Sequence, residues 1–431
     1  MNQKISKIIK TTFLVAFSVV STIAPFFTFA QGTSVSPYSQ FGVGQLNSGS
    51  FGINTAMGNT GVAFSDYKHI NILNPASYSD FTLTVFEAGA RLNRSNMSQA
   101  DNTASAGNAG FGYVAVGFPI KKWWGAAFGI LPYSGVNYSY SQSVLLPGET
   151  RPTTYQYIGS GGYNRAFVGN SFKLFDKLKL GFNASFLFGA IDRESSVIYD
   201  VTVVPFNTRV RSKEFVSSFT GDVGLQYKHK INEEKYISFG AVYGLGNDLN
   251  AQQTITSFTY IQRPANISVK DTINFIDREK GTISLPSKIS VGVSYFESNK
   301  YLLSLDYTQH NWSEFAKFDN QFNYRNSRRI AFGGQYTPDY LAIRKVLKTS
   351  TYRFGVHYEQ TFLEINDTPI DDIGVSLGFA YPIFRSKSSL NISLTLGQRG
   401  TLDNNLIREN YILANFGMII NDRWFIKKKY D

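Results

Sequence analysis

The chain has 431 residues, no cysteine and a formal charge of +11 at pH 7, three of whose positives are the leading lysines Lys4, Lys7 and Lys10. Without cysteine, disulfide scaffolds, thiolate metal sites and cysteine nucleophiles are excluded, and no arginine-rich stripe with interleaved aromatics points to nucleic acid. A mean hydropathy of −0.16 excludes a bundle of membrane helices, whereas 37 glycines, 26 tyrosines and 36 phenylalanines suit strands with one lipid-facing side.

Residues 1–30 read as an export signal. Three lysines precede an apolar core at residues 8–20, and Thr28, Phe29 and Ala30 form a small-x-small exit. The apolar run is short and is interrupted by Pro25, which argues against a membrane anchor. Residues 31–80 are rich in Gly, Ser and Asn and lack strand periodicity. They read either as a periplasmic leader or as a segment folded into the lumen of a barrel built by the rest of the chain.

From Phe81 the pattern changes to a period of two. Ile289, Val291, Val293 and Tyr295 alternate with Lys288, Ser290, Gly292 and Ser294. Leu390, Ile392, Leu394 and Leu396 alternate with Asn391, Ser393, Thr395 and Gly397. Each such segment has one apolar and one polar face. Fourteen strands are predicted, with cores near 81–92, 108–119, 124–140, 154–172, 178–192, 212–228, 235–246, 282–296, 300–311, 326–337, 351–361, 371–382, 389–398 and 411–420. Near ten residues is the length of a tilted membrane crossing. Aromatics such as Trp123, Trp124, Tyr301 and Tyr381 sit at strand ends, where interfacial girdles form.

The connections alternate in length. Those at 120–122, 174–177, 232–234 and 297–299 are short, while the odd ones are mostly longer, with 247–281 the longest. Short turns inside and long loops outside are the habit of outer-membrane barrels, which places both termini in the periplasm. Residues 338–350 break the alternation and suggest a short helix at 340–347. The expectation is an all-β, antiparallel transmembrane barrel over 81–420, with a hatch or plug at 31–80 and a periplasmic tail at 421–431.

Certain stretches resemble the FadL/TodX-type outer-membrane transporters. Ala56, Met57, Gly58, Asn59, Thr60, Gly61, Val62 and Ala63, then Asp66, then Asn74, Pro75, Ala76 and Ser77, are similar to the family's hatch segment. The run from Leu285, Pro286 and Ser287 to Tyr295, followed by Asp306, Tyr307, Trp312 and Ser313, is similar to two of its strands. A weaker likeness joins Arg353, Phe354, Gly355, Val356, His357 and Tyr358 to the stretch 374–379. The family commonly ends on an aromatic, whereas here Trp424 and Phe425 precede a basic tail.

The resemblance implies passage of a hydrophobic small molecule, such as a long-chain fatty acid or an aromatic hydrocarbon. It implies a hatch containing Asn74, Pro75 and Ala76, and a lateral opening at the third strand. In that strand lie Pro132 and Gly135. Proline removes a ladder donor and glycine weakens a strand interior, so a gap or a simple bulge should form there. Asp306, Arg353 and Glu359 fall on polar faces as lumen candidates, for an arginine fork could take a ligand carboxylate. His69, His229, His310 and His357 are scattered without metal-ligand spacing, and no nucleophile–base pair stands out. No enzyme activity, metal or cofactor is expected. Expected partners are outer-membrane lipid and lipopolysaccharide. The rival expectation is a partner subunit of an outer-membrane secretion machinery of type IX kind, docking through loops 247–281 and 338–350. An unspecific porin is the weakest reading.

Overall fold

The computed structural model describes residues 34–423 except 48, 149–150, 176, 200–205, 263–265, 343–344 and 384–385. The export signal and the tail beyond residue 423 lie outside the described residues.

Fourteen antiparallel strands close into one barrel. They are β1 (Thr84–Gln99), β2 (Asn102–Lys121), β3 (Trp124–Val144), β4 (Thr153–Leu174), β5 (Leu178–Tyr199), β6 (Asn207–Lys230) and β7 (Lys235–Gly244). The second half is β8 (Lys288–Glu297), β9 (Tyr301–His310), β10 (Ser327–Tyr336), β11 (Thr351–Ile365), β12 (Thr368–Pro382), β13 (Ser389–Arg399) and β14 (Arg408–Asp422). Closure is made by β14 on β1, from Asp422 opposite Thr84 to Arg408 opposite Ser98.

The alternation read from sequence is the cause of the wall. On β13, Leu390, Ile392, Leu394 and Leu396 are 40–51% exposed, while Asn391, Ser393 and Thr395 are at most 5%. The apolar face looks outward and the polar face looks into the lumen. Only a surrounding of lipid rewards that inversion of the soluble pattern.

Three expectations need correction. The connection at 247–281 is a β-hairpin, with strands Asn247–Gln262 and Ile267–Leu285. The predicted eighth strand, 282–296, is split at Pro286: residues up to Leu285 belong to the hairpin and β8 starts at Lys288. Proline has no N–H for the ladder. The hairpin's first strand continues the wall by pairing with the half of β6 that short β7 leaves bare, Asn207–Val216. In the 338–350 connection the helical turn is Val346–Thr349, displaced from the predicted 340–347.

The wall is lopsided. Strands β5 and β6 have 22 and 24 residues, whereas β7 to β10 have 10 each. About 9–11 residues suffice to cross a bilayer core. The taller strands and the hairpin therefore rise well beyond the membrane on one side.

Residues 34–83 fill the lumen. Phe51, Ile53, Met57, Phe64, Ile70, Ile72, Tyr78 and Phe81 are buried against wall residues including Tyr113, Ala127, Leu131 and Phe167. Phe51 stacks on Tyr113 with centroids 4.1 Å apart. Wall glycines make the approach possible: a methyl at Gly125 would overlap the Tyr78 carbonyl, and one at Gly355 would overlap the Gly58 amide.

Candidate functional site

The wall is incomplete between β2 and β3. Their ladder runs from Lys121 opposite Trp124 to Val114 opposite Ile130 and then stops. That is roughly 23 Å of strand, less than a full tilted crossing. Beyond it, β2 pairs only with β1, and β3 pairs with β4. The β3–β4 ladder is itself shifted between Pro132 and Ser134. Unpaired backbone groups facing hydrocarbon cost several kcal/mol each, so this edge needs a partner.

The plug supplies one. Its short strand Gln45–Leu46 pairs antiparallel with Gly135 and Ser134. The Asn47 amide donates to the Tyr133 carbonyl at 2.9 Å, and the Asn137 amide donates to Ser39 Oγ at 3.3 Å. Gly44, at φ +92°, lies so close to the Gly135 carbonyl that a side chain would collide with it.

Behind the gap is a cavity of about 310 Å³, at the small end of the range for small-molecule sites. Strand β11 shows its height. Met57 and Gly58 of the plug pack at Gly355, His357, Glu359 and Thr361 face the cavity, and Tyr38 packs near Phe362 and Leu363. The cavity thus lies between two layers of plug. Leu46, Leu131, Pro132 and Tyr133 line it on the gap side.

The predicted site residues separate into two groups. Pro132 and Glu359 line the cavity, and Gly135 pairs with Gln45 at the gap. Asn74, Pro75 and Ala76 do not line it. Asn74 caps the turn Pro75–Asp80, accepting from the Ala76 amide, and donates to the carbonyls of Val62 and of Leu225 on β6. Ser171 of β4 donates to the Ala76 carbonyl. Asp306 holds the plug as well: its Oδ2 accepts the amides of Gly61 at 2.6 Å and Val62 at 2.8 Å. Arg353 donates to Gln335 on β10 and to Asn391 on β13, away from the cavity, and Glu359 pairs with Arg329 at 2.9 Å.

The geometry is that of a plugged barrel with a side gap, and sequence comparison adds the family. A family model described as BamG matches residues 8–431. The chain belongs to the BamG family. None of the curated proteins matches it. Solved structures similar to this BamG-family barrel include the Pseudomonas putida toluene transporter TodX, at 16% identity over 89% of this chain and 100% of that one, with a TM-score of 0.58. The Ralstonia pickettii toluene transporter TbuX gives 16%, 88%, 100% and 0.57. A Pseudomonas aeruginosa FadL homologue gives 13%, 87%, 98% and 0.54. At such identities the likeness is one of fold: an outer-membrane barrel of FadL type.

Sequence reasoning missed the latch at the other end of the BamG-family plug. Asp80 accepts from Lys179 and from Ser65 Oγ, and Lys173 lies 3.3 Å from its second oxygen. Burial alone would raise the Asp80 carboxyl, but Lys179 and Lys173 hold it well below the usual carboxylate range. Lys179 and Lys173 flank the short connection at 174–177.

Proposed function

We propose that this barrel passes a small hydrophobic ligand, of long-chain fatty acid or aromatic hydrocarbon kind, between its lumen and the surrounding lipid through the gap between β2 and β3. The plug strand Gln45–Leu46 is the movable seal. The observation carrying this reading is the early end of the β2–β3 ladder together with the plug strand on the bared edge. With the short turns facing the periplasm, the gap opens toward the outer leaflet. A ligand leaving the cavity there never has to cross the packed lower plug.

Leu46 and Ser134 are register partners, and directly opposed antiparallel residues lie about 4.5–5.5 Å apart, which suits a disulfide. The chain has no competing cysteine. In cells carrying Leu46→Cys with Ser134→Cys, uptake of labelled palmitate and toluene should fall to the level of cells lacking the protein and return on reduction. Uptake that ignores the crosslink would remove the plug strand as the seal.

A second reading, a partner subunit of an outer-membrane machinery, is favoured by the BamG family assignment and by the projecting hairpin. Val269, Ile273 and Phe275 are 53–61% exposed on it, an apolar surface suited to a protein neighbour. Native mass spectrometry of gently extracted protein separates the two: a single chain with lipid supports passage, and a stoichiometric protein partner with an empty lumen supports assembly.

A further inference from the structure

The cavity behind the gap carries an unbalanced charge. Five cations line it, Arg91, Arg165, Lys288, Arg329 and Arg399, against four carboxylates, Asp222, Glu359, Asp372 and Glu409. Four of the cations are matched. Arg165 and Lys288 share Asp222, Arg329 pairs with Glu359, and Arg399 reaches Asp372 at 2.5 Å and Glu409 at 3.7 Å. Arg91 is the exception: among the described residues no carboxylate lies within ion-pair distance of it. Its Nε donates to Asn415 Oδ1 at 3.2 Å and its Nη1 to Asn47 Oδ1. Both acceptors are neutral amides.

Two further observations bear on the same spot. The Asn47 Nδ2 is buried with no hydrogen-bond partner, a costly state unless another acceptor arrives. Arg91 also sits on β1 opposite Gly110, in the stretch of β2 that has already parted from β3. An unmatched guanidinium and an unmet amide donor therefore meet beside the opening in the wall.

We infer that Arg91 and Asn47 form a seat for the anionic headgroup, carboxylate or phosphate, of a single-chain amphiphile whose tail runs over Leu46, Leu131 and Pro132 into the gap. This rests on the passage reading above and names its ligand class. A charged acceptor replaces a neutral one at Arg91, which turns a hydrogen bond from a lone cation into a hydrogen-bonded ion pair. The headgroup also displaces the Asn47 oxygen, which adjoins the plug strand Gln45–Leu46. Binding the ligand and loosening the seal are then one exchange of partners.

The full chain in non-ionic detergent is titrated with palmitate, hexadecyl phosphate and hexadecanol, which share a tail and differ in headgroup. Wild type should bind at least one of the anions about tenfold or more tighter than the alcohol, the fold-change expected from one charge-assisted contact. Arg91→Gln should remove that preference and leave hexadecanol affinity unchanged, while Arg91→Lys should keep most of it. The tighter of palmitate and hexadecyl phosphate identifies a fatty acid or a phospholipid source. Equal binding of all three by wild type, or an Arg91→Gln protein that keeps the preference, overturns the headgroup seat. Should Arg91→Gln not fold, the wild-type comparison of anion with alcohol still decides. Absence of preference with a crosslink-sensitive uptake refutes the seat and leaves passage standing. No binding together with crosslink-insensitive uptake refutes both.

Discussion

At the scale of single residues, the plug is held by groups whose charge state is set by burial. His69 lies in the plug, 3.4 Å from Asp66. Burial brings its imidazole down to about 4 from the usual 6.5, although Asp66 pulls the other way. The docked plug thus keeps a neutral imidazole in a range where a released plug would bind a proton. The His69 contribution is fully present above about pH 6.5 and is lost progressively as pH falls toward 4. Amide exchange of residues 61–80, compared between wild type and His69→Gln at matched pH, should be alike at pH 7.5. At pH 5 it should be faster in wild type. Parallel behaviour at both pH values would show that His69 does not couple the plug to protons.

Residue chemistry was only half legible. Glu359 and Asp306 read as lumen-facing because their strands alternate, and both do face inward with partners. What each holds was hidden, since Gly61 lies 245 positions from Asp306. Arg91 could not be singled out at all. Its distinction is a lack of counter-charge, and that depends on carboxylates contributed by β6, β11, β12 and β14.

At the scale of elements, legibility followed the lipid. Every wall strand was recognisable because one face had to be apolar for a membrane length. The hairpin 247–285 rises past that layer, where neither face is under such selection, and its ladder slips three times, between Val269 and Asp271, Thr272 and Asn274, and Ile276 and Glu279. It read as a loop. The plug, too, lacks a period, because it meets the wall through turns and close backbone contacts and not through one repeating face. Those contacts depend on the missing side chains of the wall. Gly125→Leu should push the turn Pro75–Asp80 off β3, since the new side chain would occupy the place of the Tyr78 carbonyl. The expected result is rapid proteolysis within residues 34–83 with the heat-modifiable gel mobility of the barrel retained. A plug as resistant as in wild type would mean that the approach at Gly125 can be relieved without undocking.

At the scale of the whole molecule, the membrane wall and the projecting hairpin should be separable. Gly244 at the end of β7 already lies opposite Lys288 at the start of β8, so the hairpin between them is an insertion at a point where a short turn would serve. Replacing residues 246–286 with a tight turn should leave a folded barrel, read by gel mobility and by protease resistance of the strands. If the assembly reading is right, the same deletion should also abolish co-purification of the partner. A barrel that fails to form would show that the hairpin's pairing with β6 is needed for the wall itself.

The way the plug is fastened also fixes an order of events. Ser36 donates to Glu409 on β14, 373 positions away, and Asn74 is tied to β6. Gly58 packs on β11 and Tyr78 on β3. The N-terminal plug therefore finds its partners far along the sequence, and these lie all around the circumference. A closed cylinder offers no route by which fifty residues could arrive afterwards and reach every one of these positions. The strands must curl about the N-terminal segment as they pair, with β14 meeting β1 over contents already in place. The plug is then a core around which the wall closes, and the long sequence separations of its contacts make that closure costly in chain entropy.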